Sequence, residues 1–263
     1  MSSSVAAPAI LEARGIIKRF GHVEALRGVD FAAYPGEVTA LIGDNGAGKS
    51  TLVKILSGVY QATAGSIVLD GQEVSFQSPS DAHAKGIETV YQDLSVAPDM
   101  TPAANMFMGR ELLRPGLLGR LGFLDNARMR AESAAAFQRL KVSLKDMDTP
   151  ISSLSGGQRQ SVAICRSIMW ARRVVFMDEP TAALGVVQTR RTLELIRRIR
   201  DTGVGIVLIS HNMRDVLEVA DTIEVLRLGR RIARLRNSNI TVQDLVGAMT
   251  GALDAASDEG AAA

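Results

Sequence analysis

The sequence predicts an α/β protein built on a parallel sheet that helices cover on both faces. In the second half of the chain, three apolar strand-like runs follow one another, VVFMDE, GVGIVLIS and TIEVLRL. The run LELIRRIR lies between the first two and places Leu193, Ile196 and Ile199 on one helical face. Alternation of strands and helices is typical of parallel sheets that are buried on both faces.

Bulk composition limits the class of protein. A chain of 263 residues is long enough for one large domain with an inserted subdomain. Its 46% of hydrophobic and 22% of charged residues are ordinary for a globular protein, and a net charge of +2 is too small to indicate a nucleic-acid partner. No run approaches the roughly 20 apolar residues of a membrane helix, so we expect a cytosolic or peripheral protein.

The first part of the chain, from Leu11 to about Val90, consists of short strand-like runs separated by glycine-containing turns. We expect a β-rich layer there. One helix interrupts it, from Lys49 to about Leu56, and Gly58 ends that helix.

Residues from about 93 to 170 differ in character. They are turn-rich up to Phe123 and then rich in Ala, Arg and Met at helical spacing, which predicts an inserted helical subdomain. The boundaries that we expect are 1–9 for a flexible N-terminus, 10–252 for the domain and 253–263 for a disordered tail.

A basic cluster lies near the C-terminus. Two interpretations fit it: the solvated edge of a hairpin, which we favour, and a contact with lipid headgroups. Its members are Arg227, Arg230, Arg231, Arg234 and Arg236.

The motif GDNGAGKS follows the apolar run VTALI directly and precedes the helix-like run TLVKIL, which is the strand-loop-helix setting of a phosphate-binding loop. Its glycines let backbone N–H groups turn inward around phosphate oxygens, and the helix adds its positive N-terminus. Lys49 would neutralise the β- and γ-phosphates, and Ser50 would ligate Mg²⁺. A plain glycine-rich turn is the alternative. The predicted phosphate loop comprises Gly43, Asp44, Asn45, Gly46, Ala47, Gly48, Lys49, Ser50 and Thr51.

The run VVFMDEP is an apolar strand that ends in two adjacent carboxylates. Parallel sheets place their ligands at the C-terminal ends of strands, and successive strand residues point in opposite directions. We therefore expect Asp178 to bind Mg²⁺, directly or through water, and Glu179 to polarise the attacking water. A helix cap or a salt-bridged acid pair is the alternative.

The run LSGGQRQ contains a second glycine turn, which leads into the helix-like run SVAICRSIM. Ser155, Gly156, Gly157 and the N-terminus of that helix could hold phosphate, although the turn has no lysine of its own. A Schellman-like turn between helices remains open at this point.

Together, GDNGAGKS, Gln92 in VYQDL, LSGGQ, VVFMDEP and His211 in LISHN occur in the order and approximate spacing of ABC ATPases. The chain resembles that family from about Ile10 to Ala252. The resemblance implies a P-loop NTPase (RecA-like) α/β core with an antiparallel β subdomain and an inserted α-helical subdomain, which binds and hydrolyses ATP with Mg²⁺.

The same resemblance implies further roles. Gln92 resembles the glutamine that touches Mg²⁺ and water and reports on the permease, and His211 resembles the histidine that hydrogen-bonds the γ-phosphate. Phe20 resembles the aromatic residue that stacks on adenine. Without the family, Phe20 would be interpreted as a core residue, and His211 as a buried histidine with its hydrogen bonds satisfied.

In the family, two copies enclose each nucleotide. The loop of one subunit, Gly43–Thr51, faces the turn of the other, which here comprises Ser155, Gly156, Gly157 and Gln158. The chain has a single P-loop, so either a second copy of this chain, which we expect, or a separate partner must complete the dimer. One departure stands out: most members read SALD after EPT, whereas this chain has Gly185 in place of the aspartate that helps the two subunits communicate.

The runs EPTAALGV and KSTLVKILSGVY look like the ribose, xylose and fructose importer branch, and most like its single-cassette fructose-type subunits. This resemblance implies two membrane permease subunits, a separate periplasmic sugar-binding protein, and a place on the cytoplasmic face of a bacterial inner membrane. We expect the permease contact between Gln92 and Arg110, where apolar side chains could equally form core.

Three rivals remain. A soluble ABC ATPase of translation or DNA repair would carry paired cassettes or basic arms, and none is seen. A regulatory subunit that binds ATP without turnover is suggested by Gly185 and opposed by Lys49, Asp178, Glu179 and His211. A P-loop kinase would leave LSGGQ without a purpose.

Overall fold

The computed structural model describes residues 8–91, 95–144, 146–182 and 184–251, and its strands form two sheets. The expected tail, 253–263, lies outside the described residues, as does the expected N-terminal segment apart from Pro8 and Ala9.

The strands are β1 (Leu11–Phe20), β2 (Val23–Ala33), β3 (Val38–Ile42), β4 (Ala64–Leu69), β5 (Gln72–Val74), β6 (Ile87–Val90), β7 (Val174–Asp178), β8 (Gly205–Ile209), β9 (Thr222–Arg227) and β10 (Arg230–Arg236). The helices are α1 (Lys49–Leu56), α2 (Pro79–Ala84), α3 (Pro102–Met106), α4 (Leu117–Arg120), α5 (Asn126–Arg139), α6 (Gly156–Trp170), α7 (Val186–Arg200), α8 (Met213–Val219) and α9 (Val242–Thr250).

The larger sheet has six strands in the order β10-β9-β3-β8-β7-β6. All neighbouring pairs are parallel except β9 with β10. Every residue of β3 and β8 is buried, as expected for central strands covered on both faces. The predicted α/β class with a parallel sheet is confirmed.

The smaller sheet is antiparallel, with strand order β2-β1-β4-β5. It forms the β-rich layer expected before Val90, but a single interrupting helix was wrong, because α2 also lies in this region. Pro79 occupies its first turn, and the side chains of Ser78 and Asp81 form a capping box. The pattern S-P-x-D at residues 78–81 is typical of a capped helix N-terminus, so the sequence did contain a signal for this helix.

The two faces of the six-stranded sheet belong to different hydrophobic clusters. Val175 and Met177 of β7 lie in one cluster with Phe107 and Met129 of the inserted helical region. On the opposite face, Phe176 lies in the second cluster, together with α1 and the antiparallel sheet. Because side chains of β7 alternate between the two faces of the sheet, the inserted helical region packs against one face and α1 against the other.

Helix α7 buries the face predicted for it: Leu193, Ile196 and Ile199 are at most 2% exposed. Its last turn carries three arginines, which suit the negative end of the helix dipole.

The C-terminal basic cluster forms a hairpin edge, since β10 pairs with β9 in antiparallel register. Four of its five arginines are exposed, as predicted for a solvated edge, although two of them also lie near a buried acid. Arg234 Nε lies 3.4 Å and Arg231 Nη1 3.7 Å from the carboxylate of Glu224, whose side chain is 1% exposed. Burial raises the pKa of Glu224 to about 7, despite the two guanidinium groups.

Candidate active site

The predicted phosphate loop connects buried β3 to α1. Gly43, Gly46 and Gly48 have φ values of 148°, 82° and 106°, which favour glycine. A Cβ atom on Gly43 would lie 2.1 Å from the carbonyl oxygen of Leu226, and one on Gly48 would lie 2.6 Å from Cδ2 of Leu26. The loop conformation therefore excludes side chains at Gly43 and Gly48.

Lys49 lies across this loop. Its Nζ donates hydrogen bonds to the carbonyl oxygens of Gly43 at 2.6 Å and Asp44 at 3.0 Å. Burial lowers the pKa of Lys49, and the charges of Glu179, Asp44 and Asp178 oppose that change. The ammonium group is therefore held at the loop, within the field of both carboxylates that end β7.

The donor set of this loop fits a nucleotide with its metal ion. Helix α1 begins at Lys49 without a side-chain cap, because its N-cap residue is Gly48. First-turn N–H groups without a cap bind anions well. Ser50 is exposed, and its hydroxyl, like the carboxylate of Asp178, is a hard oxygen ligand of the kind that Mg²⁺ prefers.

Asp178 is the last residue of β7, and burial raises its pKa, with the neighbouring charge of Glu179 as the second cause. Glu179 lies beyond the strand with φ of 50°, and its N–H donates to the carbonyl oxygen of Ile209. The alternation expected for strand residues does not apply to this pair, because β7 ends at Asp178 and the backbone of Glu179 lies in the left-handed region. Left-handed non-glycine residues store strain and cluster at functional sites.

His211 follows β8, the strand next to β7. Its Nδ1 lies 2.8 Å from Oε1 of Glu179. The Glu179 side chain is 14% exposed and that of His211 76% exposed, so the interpretation of His211 as a buried histidine is wrong. The pair instead places an accessible imidazole beside a mostly buried carboxylate, an arrangement that can orient a general base.

The LSGGQ turn forms the start of α6. Ser155 is the N-cap, its Oγ accepts from the N–H of Gln158, and Oε1 of Gln158 accepts from the N–H of Ser155. The glycines thus lie inside the first helical turn, so both the Schellman-like alternative and a helix beginning at Ser161 were wrong. An N-terminal capping box explains the difference.

This signature turn packs against α7. A Cβ on Gly157 would lie 2.8 Å from Cγ of Gln188, and one on Gly185 would lie 2.8 Å from Oε1 of the same residue. A cavity of about 360 Å³ adjoins the turn and is lined by Ser155, Gln158 and residues of α7 such as Gln188. Gln188 therefore connects the signature turn to the loop that precedes α7.

Phe20 is 43% exposed at the end of β1, so it is not the core residue that its type alone would indicate. Its ring meets Tyr60 edge to face, with centroids 5.4 Å apart, and Lys18 Nζ lies 5.0 Å from its centroid. Gln92, the predicted lid glutamine, lies outside the described residues.

Sequence reasoning missed several contacts around the site. The Oγ1 of Thr181 donates to the buried carboxylate of Asp215 at 2.7 Å, which ties the loop after Glu179 to α8. Tyr60 and Gln188 were also missed. Each contacts a residue that is distant along the chain, so no local sequence pattern predicts the contact.

A groove lies beside the helical insert, at one end of the expected partner segment. It measures about 570 Å³ and is lined by residues including His83, Met108, Arg110 and Trp170. Glu88 is buried beneath it and pairs with Arg110 Nη2 at 2.8 Å and with His83 Nδ1 at 3.0 Å. The hydrogen bond with Glu88 raises the pKa of His83.

No helix in the described part of the chain is long and apolar enough to cross a membrane. A family model described as "ABC transporter" matches residues 26–182. The fructose import ATP-binding protein FrcA of Rhizobium meliloti is 49% identical over 92% of this chain and 94% of its own length. The xylose/arabinose import ATP-binding protein XylG of Sulfolobus acidocaldarius is 42% identical with the same coverage.

A ribose import ATP-binding protein, RbsA of Yersinia pestis, is also 42% identical, but the chain spans only 46% of its length. Among solved structures, a nucleotide-free ATP-binding cassette of an ABC transporter aligns with a TM-score of 0.75 and 26% identity, over 92% of this chain and 96% of the other. A cassette in its ADP conformation aligns with a TM-score of 0.77 and 26% identity, over 93% and 96%.

Proposed function

Since this chain belongs to the ABC transporter family of ATP-binding cassettes, we propose that it is the ATP-hydrolysing subunit of a monosaccharide importer. The sugar is of the fructose, ribose or xylose kind, because the similar relatives bear those names. The hydrolytic role is carried by one observation: Lys49, Asp178, Glu179 and His211 converge at the C-terminal edge of the parallel sheet.

In this proposal the phosphate loop and Lys49 bind the triphosphate, while Ser50, Asp178 and Gln92 would hold Mg²⁺. When bound, Mg²⁺ supplies positive charge that neutralises the β- and γ-phosphates. Glu179 orients the attacking water and accepts its proton. His211 fixes the rotamer of Glu179 through the 2.8 Å contact and presents its exposed edge to the γ-phosphate. Phe20 offers a π-face to adenine.

The site is completed by a second copy of the chain. Ser155 and Gly156 are exposed, and the signature turn contacts Gln188 of its own α7. In the proposed dimer, the signature turn of each copy meets the nucleotide held by the phosphate loop of the other. The N-terminus of α6 has no lysine, and it suits this role because the Lys49 of the copy that holds the nucleotide already supplies the positive charge.

The groove lined by His83, Met108, Arg110 and Trp170 is the proposed docking site for a membrane permease subunit. Its lining combines the apolar side chains of Met108 and Trp170 with the guanidinium group of Arg110, and such a surface suits an amphipathic segment. Two permease subunits would hold the dimer at the cytoplasmic face of the inner membrane. A periplasmic protein would deliver the sugar from the other side.

The regulatory alternative is disfavoured. Gly185 forms the N-cap of α7, and its position leaves the contacts of Lys49, Glu179 and His211 intact. The soluble ABC ATPase of translation or repair is opposed by the relatives, which are named as import proteins.

The solution mass of purified Glu179→Gln protein, measured by light scattering with and without Mg-ATP, tests the proposed dimer. We expect a shift from monomer to dimer on addition of Mg-ATP, whereas Glu132→Gln, a change at a partly exposed carboxylate on α5, should behave as wild type. A protein that binds ATP and stays monomeric contradicts the proposed pairing of two identical copies.

Deletion of the gene tests the transport role. Uptake of labelled fructose, ribose and xylose should fall for at least one sugar, and wild type should restore it where Glu179→Gln does not. Unchanged uptake of every monosaccharide would remove the importer proposal while leaving the ATPase assignment in place.

A further inference from the structure

One loop of the helical insert concentrates exposed apolar side chains. We call residues 113–124 the tongue. It contains six of the 17 large apolar side chains that are exposed in the described part of the chain, and Leu117 at 71% and Leu121 at 65% are the most exposed of the six. Exposed apolar groups gathered in one place mark interaction sites, whereas scattered ones need no explanation. The six are Leu113, Leu117, Leu118, Leu121, Phe123 and Leu124.

The backbone of the tongue closes on itself. The N–H of Arg114 donates to the carbonyl oxygen of Phe123 at 2.9 Å, and that of Asp125 donates to Leu112 at 2.7 Å. Its interior is filled by backbone, because a Cβ on Gly119 would lie 1.9 Å from the carbonyl oxygen of Arg114. A loop with no room inside keeps its leucines on the outside.

The charges of the tongue have one sign. Arg114 and Arg120 are exposed, no Asp or Glu occurs between residues 112 and 124, and neither arginine forms an ion pair with a described residue. The C-terminal basic cluster differs, since Arg234 and Arg236 have carboxylate partners in Glu224 and Glu37. The tongue therefore offers unpaired positive charge beside exposed leucines.

We propose that the tongue binds the surface of an anionic lipid bilayer. Its leucines would enter the boundary between headgroups and acyl chains, while Arg114 and Arg120 bind lipid phosphates. A bilayer accepts both kinds of group at once. The tongue begins three residues after Arg110, which lines the groove proposed for the permease, so the proposed function, on which this part rests, would bring the tongue close to the membrane.

Flotation of the purified full-length protein with vesicles tests the proposal without any permease. Vesicles of phosphatidylglycerol and phosphatidylethanolamine are compared with vesicles of phosphatidylcholine alone. We expect binding to the anionic vesicles only.

Two double variants separate the apolar from the charged contribution. Leu117→Ser with Leu121→Ser should lower the partition coefficient by about tenfold or more. Arg114→Gln with Arg120→Gln should lower it by about fivefold or more, with a weaker salt dependence. The matched control is Val246→Ser, an exposed apolar position on α9, which should bind as wild type.

Thermal unfolding and ATP binding of each variant must match wild type, because the changed side chains are exposed. Wild-type protein that does not float, or binding that neither pair of substitutions lowers, overturns the proposal. Loss of permease capture by the leucine pair, with no vesicle binding by wild type, assigns the tongue to a protein contact and also overturns it. If the protein hydrolyses ATP but does not bind vesicles, only the membrane-binding inference is contradicted. If it binds vesicles but does not hydrolyse ATP, only the proposed function is contradicted.

Discussion

The Nδ1 atom of His211 lies 2.8 Å from Oε1 of Glu179, and the two residues follow the C-terminal ends of neighbouring strands. The carboxylate is enclosed and the imidazole is open to solvent. A substrate that approaches from solvent therefore meets the histidine before it meets the glutamate. The carboxylate that we propose as the general base and the histidine that contacts it thus follow different strands of one sheet.

Removal of the imidazole should slow hydrolysis while ATP binding persists. In His211→Ala, Glu179 loses its partner, and we expect turnover to fall by about tenfold to a hundredfold. His211→Gln, which can still donate a hydrogen bond, should recover part of the loss. Steady-state ATPase assays together with fluorescent-nucleotide titration separate the two effects, and an unchanged rate for His211→Ala would exclude the positioning role.

Glu179→Gln should bind ATP and hydrolyse it at least about a hundredfold more slowly, because an amide cannot accept the proton of the attacking water. Glu132→Gln, at a partly exposed position on α5, is the matched control. The assay is release of inorganic phosphate. A fully active Glu179→Gln enzyme would require a different general base.

Lys49→Ala should weaken ATP binding and abolish turnover, since the phosphate charge is left without its neutralising ammonium group. The carbonyl oxygens of Gly43 and Asp44 also lose a donor, which loosens the loop. Lys85→Ala, at an exposed position, serves as control. Equilibrium binding measured by calorimetry distinguishes the two variants, and wild-type affinity in Lys49→Ala would contradict the phosphate-loop assignment.

Glu224 should make stability depend on pH. Its pKa is about 7 in the folded protein against an ordinary value of 4.5, so the folded state binds more protons between these values. The free energy of unfolding contributed by this group therefore falls as pH rises from 4.5 through 7. Glu224→Gln should gain stability relative to wild type at pH 8 compared with pH 5. Melting temperatures of both proteins test this, with Glu132→Gln as control; an equal difference at both pH values would contradict the shift.

Gly157→Ala should disturb the signature turn, because the new Cβ meets Cγ of Gln188. We expect a lower ATPase rate in Gly157→Ala and a partial recovery in the double variant that also carries Gln188→Ala. A double-mutant cycle measures the coupling. Additive effects of the two substitutions would show that the two side chains act independently.

Local motifs account for the parts of the fold that the sequence predicted well. Helix α1 has the predicted bounds, Lys49 to Leu56, because a phosphate loop precedes it and Gly58 follows it. The buried face of α7 followed from its periodicity. The start of α6 was misjudged because glycines indicate turns, whereas here the capping box of Ser155 and Gln158 brings them into the helix.

Contacts between distant segments could not be predicted. The pairing of Glu224 with Arg234 depends on the register of the last hairpin, and the contact of His211 with Glu179 depends on the order of strands in the sheet. Of these four residues the sequence identified all except Glu224 as candidates, and the family resemblance supplied the role of His211. Their distances and burial came only from the folded arrangement.

The capping box at Ser155 also bears on the entropy of association. Its two reciprocal hydrogen bonds fix the signature turn within a single chain, before any second copy arrives. In the proposed dimer, association would not need to restrict those backbone dihedrals again. The conformational entropy lost on ordering the turn would thus be a cost of folding rather than of dimer formation, and the two copies would associate more tightly than if the turn became ordered on binding.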